Sequence, residues 1–228
     1  MPQTLVAVAA HADDAELNAG GTLAKRAAEG WRIHIVMMTA NTSGLMIPEG
    51  GPEEAKRRLA PAETREIRRR EQEAAARLIG AAVHNLDYPQ RRYWDESRGA
   101  AVEIGFAPGS PAPAAVLERP PLLAAFERAD EVERLATLLS DLKPDIVLTQ
   151  TPVDLDPEHH ATASMVWRAM NKRRERFGKA ALQFWSPGDS CYDGMFAPGA
   201  DVVEDVSAWF VKKIEMCAAH ASQWTRFR

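Results

Sequence analysis

The sequence predicts an α/β fold with a mostly parallel sheet between two layers of helices, and three observations predict it. Residues 4–10, TLVAVAA, form a continuous apolar run ended abruptly by polar residues, as expected of a strand buried on both faces. The pattern then shifts to helical spacing, with Leu17, Leu23, Ala24, Ala27 and Ala28 on one side and Gly30 as a stop. Trp31–Thr39, WRIHIVMMT, reads as a second strand, so strand, helix and strand follow one another within about 40 residues. Such βαβ units build doubly wound, Rossmann-like three-layer sandwiches with helices on both faces, and ligands bind beyond the carboxyl ends of the strands.

The remaining elements follow the same logic. Residues 53–80 alternate Glu, Arg and Ala around Leu59, Ile67, Ala74, Ala75 and Leu78, predicting a long charged helix or a pair broken near Pro61. Gly80 closes it, and AVHNLDYP follows as a strand. Between about residues 90 and 121 periodicity is lost among Pro108, Pro111, Pro113, Pro120 and Pro121, which predicts an excursion or lid. An amphipathic helix is expected over Ala124–Leu142, a buried strand over Asp145–Gln150, and helices over 161–176 and 207–222. The expectation is one domain spanning residues 1–228, with the excursion inserted in it.

Composition narrows the function. Twenty-eight Lys and Arg against 32 Asp and Glu leave a net charge of −4, which argues against general nucleic-acid binding. No run reaches the roughly 18 apolar residues of a membrane helix, and the first apolar run has no basic leader, so a soluble, cytoplasmic protein is expected. Cys191 and Cys217 make neither a disulfide framework nor a thiolate zinc cluster, so a bound metal must rest on histidines and carboxylates.

Two polar clusters each follow a predicted buried strand: His11-Ala-Asp-Asp-Ala-Glu16, and Asp154-Leu-Asp-Pro-Glu-His-His160. His11 and Asp14 stand three apart at a helix entry, where their side chains can converge while Asp13 points elsewhere. A third ligand from the other cluster would give two imidazoles and one carboxylate with an open position, the arrangement of catalytic zinc. A single His or Asp after a strand is ordinarily a cap or turn residue. A pair of such clusters at matching topological positions points to chemistry.

AHADDAELNAGGTLA resembles the signature A-H-P-D-D-x-E-x-x-x-G-G-T-L of the LmbE/PIG-L family of zinc-dependent N-deacetylases. VDLDPEHHATAS resembles the family's D-x-H-P-D-H-x-A segment, Arg68 and Glu71 its R-x-x-E helix, and Lys213 with His220-Ala-Ser-Gln223 its C-terminal K and H-x-S-Q. The resemblance implies His11, Asp14 and His159 as ligands of Zn2+ or another divalent metal and Asp13 as general base; within the charged run 66–73, otherwise read as a solvated face, Arg68 is a candidate contact to an anionic or sugar part of the substrate. It implies a metal-dependent hydrolase that removes an N-acetyl group from a small amino sugar or glycoconjugate, by metal-activated water with a carboxylate moving the proton. A homo-oligomer is left open.

Two positions depart from the family pattern. Ala12 replaces the usual Pro, and Asp156 replaces a His expected to stabilise the oxyanion or supply a proton. An ionised Asp there would repel the oxyanion, so either it is protonated, or His220 or His160 substitutes, or activity is altered or lost. Hydrolysis of another N-acyl amide and a metal-retaining, catalytically silent glycoside-binding protein therefore stand as alternatives.

Other features have simpler readings. Glu16 is expected to orient His11 or cap the loop. Gly20-Gly21 matches no phosphate-loop spacing and indicates close helix packing. His34 and His84 belong to the scaffold, and burial is the default for Trp94, Trp185, Trp209 and Trp224.

Overall fold

A computed structural model describes residues 2–43, 61–95, 100–103, 119–185 and 201–223. Its centre is a five-stranded sheet of β1 (Thr4–Ala9), β2 (Arg32–Thr39), β3 (Ala82–Tyr88), β6 (Ile146–Thr149) and β7 (Ala181–Phe184) in the order β3-β2-β1-β6-β7. Every pairing is parallel. Period-two alternation divides the sheet residues between two cores. Val6, Val8, Val36, Met38, Leu86 and Tyr88 face α3 (Leu122–Ala125), α4 (Ala129–Asp141) and α5 (Pro157–Lys172). Leu5, Ala7, Ala9, Ile33, Ile35 and Met37 face α1 (Asp14–Ala28), α2 (Pro61–Arg77) and α7 (Phe210–Ala218). This is the expected three-layer α/β sandwich.

Helix boundaries have local causes. In α1, Asp14 and Glu16 lie in the first turn and Lys25 and Arg26 in the last, each favourable to the helix dipole, and Gly30 takes φ 85 just beyond the end. α5 begins with Asp156 as N-cap and Pro157 in its first turn. α2 starts at Pro61, so the expected helix is found from there, and residues 53–60 lie outside the described residues.

Several expectations need correction. The single helix over 124–142 is two, because Arg128 adopts extended backbone (φ −77, ψ 128) and caps α4. Part of the 90–121 excursion is ordered pairing: β4 (Arg92–Asp95) and β5 (Ala100–Glu103) form an antiparallel hairpin, while 96–99 and 104–118 lie outside the described residues. Strand β7 and the short α6 (Arg174–Phe177) were not anticipated as separate elements, since four residues carry too little periodicity to declare themselves.

Strands β2 and β3 lie on one side of β1, and β6 and β7 on the other, so the winding direction reverses between β1 and β6. A crevice at such a switch point is where open α/β sheets hold ligands, and both polar clusters leave the sheet there. Helix α1 is kept close to the C-terminal segment by its two glycines. A Cβ at Gly21 would meet Val206 Cγ2 at 2.7 Å and Cβ at 2.8 Å, whereas one at Gly20 would meet the flexible Lys213 Cγ at 3.1 Å.

The two glycines are therefore expected to differ. Gly21→Ala should lower stability by about 1–2 kcal/mol, as overpacking exceeds the gain in helix propensity. Gly20→Ala should be close to neutral. Denaturant midpoints of the two variants check this.

Candidate metal centre

The β1–α1 loop and the β6–α5 loop bring three donor atoms together. His11 Nδ1 lies 3.3 Å from His159 Nε2, 3.5 Å from Asp14 Oδ2, and His159 Nε2 lies 3.3 Å from the same oxygen. Four tetrahedral bonds of about 2.0–2.1 Å place donors roughly 3.3 Å apart, so the triangle has the dimensions of a zinc face. Two ring nitrogens aimed at each other also repel, as two donors or two acceptors, unless a proton or cation lies between them. The arrangement fits a cation.

The far nitrogen of each imidazole is held by a carboxylate. Glu158 Oε2 lies 3.0 Å from His11 Nε2, and Asp154 Oδ2 lies 2.9 Å from His159 Nδ1. This carboxylate–histidine pairing fixes ring orientation and tautomer in metal sites. Asp14 Oδ2 is itself placed by the His11 backbone N–H at 2.7 Å and by Gln150 Nε2 at 3.0 Å. Glu158 is anchored through Oε1 by the Arg91 N–H at 2.8 Å.

Charge in the cluster is set by these neighbours. Burial works against charge on His11, but the hydrogen bonds and charges of Asp14 and Glu158 outweigh it and push the ring up to about 10. Burial is likewise outweighed at His159, which Asp14 and then Asp154 push up to about 11. Burial would raise Asp14, yet the two rings, His159 foremost, hold it well below the usual carboxylate range.

Asp13 is buried at the start of α1, with left-handed backbone at φ 92 and ψ −25. Arg68 Nη2 lies 3.4 Å from Asp13 Oδ1 and also donates to the Ala12 carbonyl. With only 5% of Arg68 exposed, its guanidinium is committed to the inside of the loop. His220 is fully buried and faces Glu16 Oε2 at 3.5 Å. Asp156 caps α5, its Oδ1 accepting from Glu158 N at 2.8 Å, and its carboxylate also falls in a second close group with His11 and Glu158. Arg91 Nη2 is 3.8 Å from Asp156 Oδ2.

One pairing differs from expectation. Glu158, rather than Glu16, meets the His11 ring, and Glu16 bonds instead to Gln72. His160 points to the Pro152 carbonyl and the edge of Phe126. His34 and His84 pair at 3.0 Å on the sheet, Trp185 is buried, and Trp224 lies outside the described residues. Gln72, Gln150 and Asn41 carried no sequence signal, because amides at a helix middle or strand end are recognised only by what they touch. Glu158 had one: a carboxylate directly before a ligand candidate.

The fold and site together define an α/β domain with a His-Asp-His donor set at the sheet's switch point. The chain belongs to the PIG-L family, described as GlcNAc-PI de-N-acetylases, whose model matches residues 6–170. A 1D-myo-inositol 2-acetamido-2-deoxy-alpha-D-glucopyranoside deacetylase of Saccharomonospora viridis is 27% identical over 243 residues, covering 96% of this chain and 84% of the relative. The N,N'-diacetylchitobiose deacetylase of Pyrococcus horikoshii superposes with a TM-score of 0.66 at 17% identity, covering 97% of this chain and 70% of that one. The 4-carboxy-2-hydroxymuconate hydratase of Pseudomonas putida KT2440 does so with a TM-score of 0.64 at 21% identity, covering 98% and 80%. At these identities the two structural likenesses concern the fold alone, and a hydratase among them shows that the fold does not dictate the reaction.

A metal held by His11 and His159 would displace protons from both rings, so apparent Zn2+ affinity should rise with pH up to about 11, with up to two protons released per ion near neutrality. Calorimetry in buffers of different ionisation enthalpy reads that number. In the metal-free protein the raised histidines contribute stability fully below 6.5 and lose it as pH rises through about 10 and 11. The depressed Asp14 contributes above 3.8 and loses its share as pH falls through its lower folded value. Thermal unfolding midpoints of the metal-free protein should therefore decline at both extremes.

Proposed function

We propose that this chain is a zinc-dependent hydrolase that removes an N-acetyl group from an N-acetylglucosamine-containing sugar or glycoconjugate. The observation that carries it is the donor triangle of 3.3, 3.3 and 3.5 Å, with each imidazole backed by a carboxylate. The family description and the Saccharomonospora viridis relative both name N-acetylglucosamine-type sugars, which supports the substrate class.

His11, Asp14 and His159 would hold the metal. When bound, zinc supplies Lewis acidity, lowering the pKa of water and polarising the amide carbonyl. Asp13 accepts the proton of the attacking water on its carboxylate and returns it to the sugar nitrogen as the C–N bond breaks. Water adds across the bond, giving acetate and a free amine. Arg68, 3.4 Å from Asp13 Oδ1, holds that carboxylate in place rather than meeting the substrate. His220 lies against Glu16, which supports a role in holding the loop rather than in proton transfer.

Asp156 favours a second reading, a zinc-retaining protein without turnover. Its role as helix cap accounts for an Asp at this position, and its negative charge is unsuited to a developing oxyanion. Asp156→His distinguishes the two: a gain of deacetylation from a silent wild type supports the second, and a competent wild type excludes it.

Asp13→Asn should lower kcat/KM by about 100- to 10,000-fold with zinc content unchanged, whereas Asp14→Asn should lose the metal. Acetate release from N-acetylglucosamine derivatives, alongside metal analysis of each protein, checks both. A zinc-loaded wild type inert on all of them would exclude the deacetylase.

A further inference from the structure

Behind the metal loop runs a buried polar chain that the proposed chemistry does not use. It starts at the left-handed backbone of Asp13, a conformation costly for a residue with a Cβ and maintained only where its surroundings over-determine it. The peptides around it are gripped from outside. Ala12 N–H donates to Asn41 Oδ1 at 2.8 Å, Arg68 donates to the Ala12 carbonyl, and Asp13 N–H faces Gln72 Oε1 at 3.5 Å.

The Gln72 contact depends on which way its amide is turned. Its Nε2 donates to Glu16 Oε1 at 2.7 Å, so its oxygen is left to face Asp13 N–H. A flipped amide would set oxygen against carboxylate and N–H against N–H. Glu16 thereby dictates the Gln72 orientation. Glu16 Oε2 and His220 Nε2 face each other at 3.5 Å, just beyond a formed hydrogen bond; both residues are fully buried, and neither atom has a hydrogen-bond partner among the described residues. His220 is in turn set by the turn that ends α7. Ser222 N and Oγ donate to the Glu71 carboxylate at 2.6 and 2.7 Å, next to Gln72 on α2.

We propose that His220 is a positioning residue for Asp13, acting through Glu16 and Gln72, and that the C-terminal turn 220–223 is thereby a working part of the site. Its effect on catalysis rests on Asp13 being the general base; its effect on the loop does not. With the His220 ring absent, Glu16 Oε2 loses the imidazole that faces it and fills the space beside it, the carboxylate rotates or draws in water, and Gln72 no longer has a unique orientation. The Asp13 peptide then relaxes towards ordinary φ, carrying the base out of line while His11, Asp14 and His159 keep their own carboxylate and amide supports.

The test compares the full-length wild type with His220→Ala, His220→Gln and Gln72→Ala by hydrogen–deuterium exchange over residues 10–16, with and without Zn2+. Metal content and steady-state hydrolysis of an N-acetylglucosamine derivative are measured in parallel. Expected for His220→Ala are about tenfold faster exchange confined to this segment, retained zinc, and a kcat lowered about tenfold or more with KM within about twofold. His220→Gln, which fills the same space and offers an amide N–H towards Glu16, should restore most of both. Gln72→Ala should reproduce the defect, and the double variant should be no worse than either single one.

Unchanged exchange over 10–16 in His220→Ala, a rise spread evenly through the chain, or additive defects in the double variant would overturn the proposal. If His220→Ala does not fold, Gln72→Ala against His220→Gln carries the same comparison. Exchange is read without substrate, so a wild type that deacetylates nothing would sink the proposed function and leave the coupling of His220 to the loop to stand or fall on exchange alone.

Discussion

Everything at this site depends on one constraint: β1 and β6, far apart in the chain, must lie side by side and end together. Their parallel pairing runs from Leu5 against Ile146 to Val8 against Thr149, and Thr149 Oγ1 donates to the Val8 carbonyl at 2.8 Å near the exit point. A slip of one residue would turn the exit of one loop away from the other and exchange the two cores. With the register held, His11 and Asp14 come off one strand and His159 off its neighbour's loop, and the donor triangle closes.

The burial of so much charge is tolerable only because it is distributed in pairs. Asp14 serves two imidazoles, Glu158 and Asp154 each hold one ring, and Arg68 stands against Asp13. A buried charge stripped of its partner costs far more than the pair contributes. The clusters are consequently all-or-none, with a cation as the natural centre of charge.

Asp156 shows how a local requirement and a chemical one can compete for a single position. Preceding Pro157 and Glu158, it satisfies an exposed N–H of the first turn of α5, which a His does less readily. That turn carries His159 into the donor triangle, so a residue unsuited to stabilising an oxyanion contributes to building the triangle. Its meaning for turnover lies in solution chemistry rather than in the fold.

The sequence by itself determined the parallel α/β layering and the two strand-exit clusters, because continuous apolar runs and closely spaced His and Asp residues are local patterns; which His of the second cluster joins His11 and Asp14 came from the family resemblance, not from spacing. It did not reveal β7, the break before α4, or the hairpin at Arg92–Glu103, where segments of about four residues carry no period. Nor did it reveal what surrounds the triad. Glu158 on His11, Gln150 on Asp14, Gln72 between Glu16 and Asp13, and His220 behind Glu16 are contacts across 56 to 204 residues of chain. Only tertiary structure decides them, because an amide or carboxylate acquires its role from the partner that packing brings within hydrogen-bonding reach.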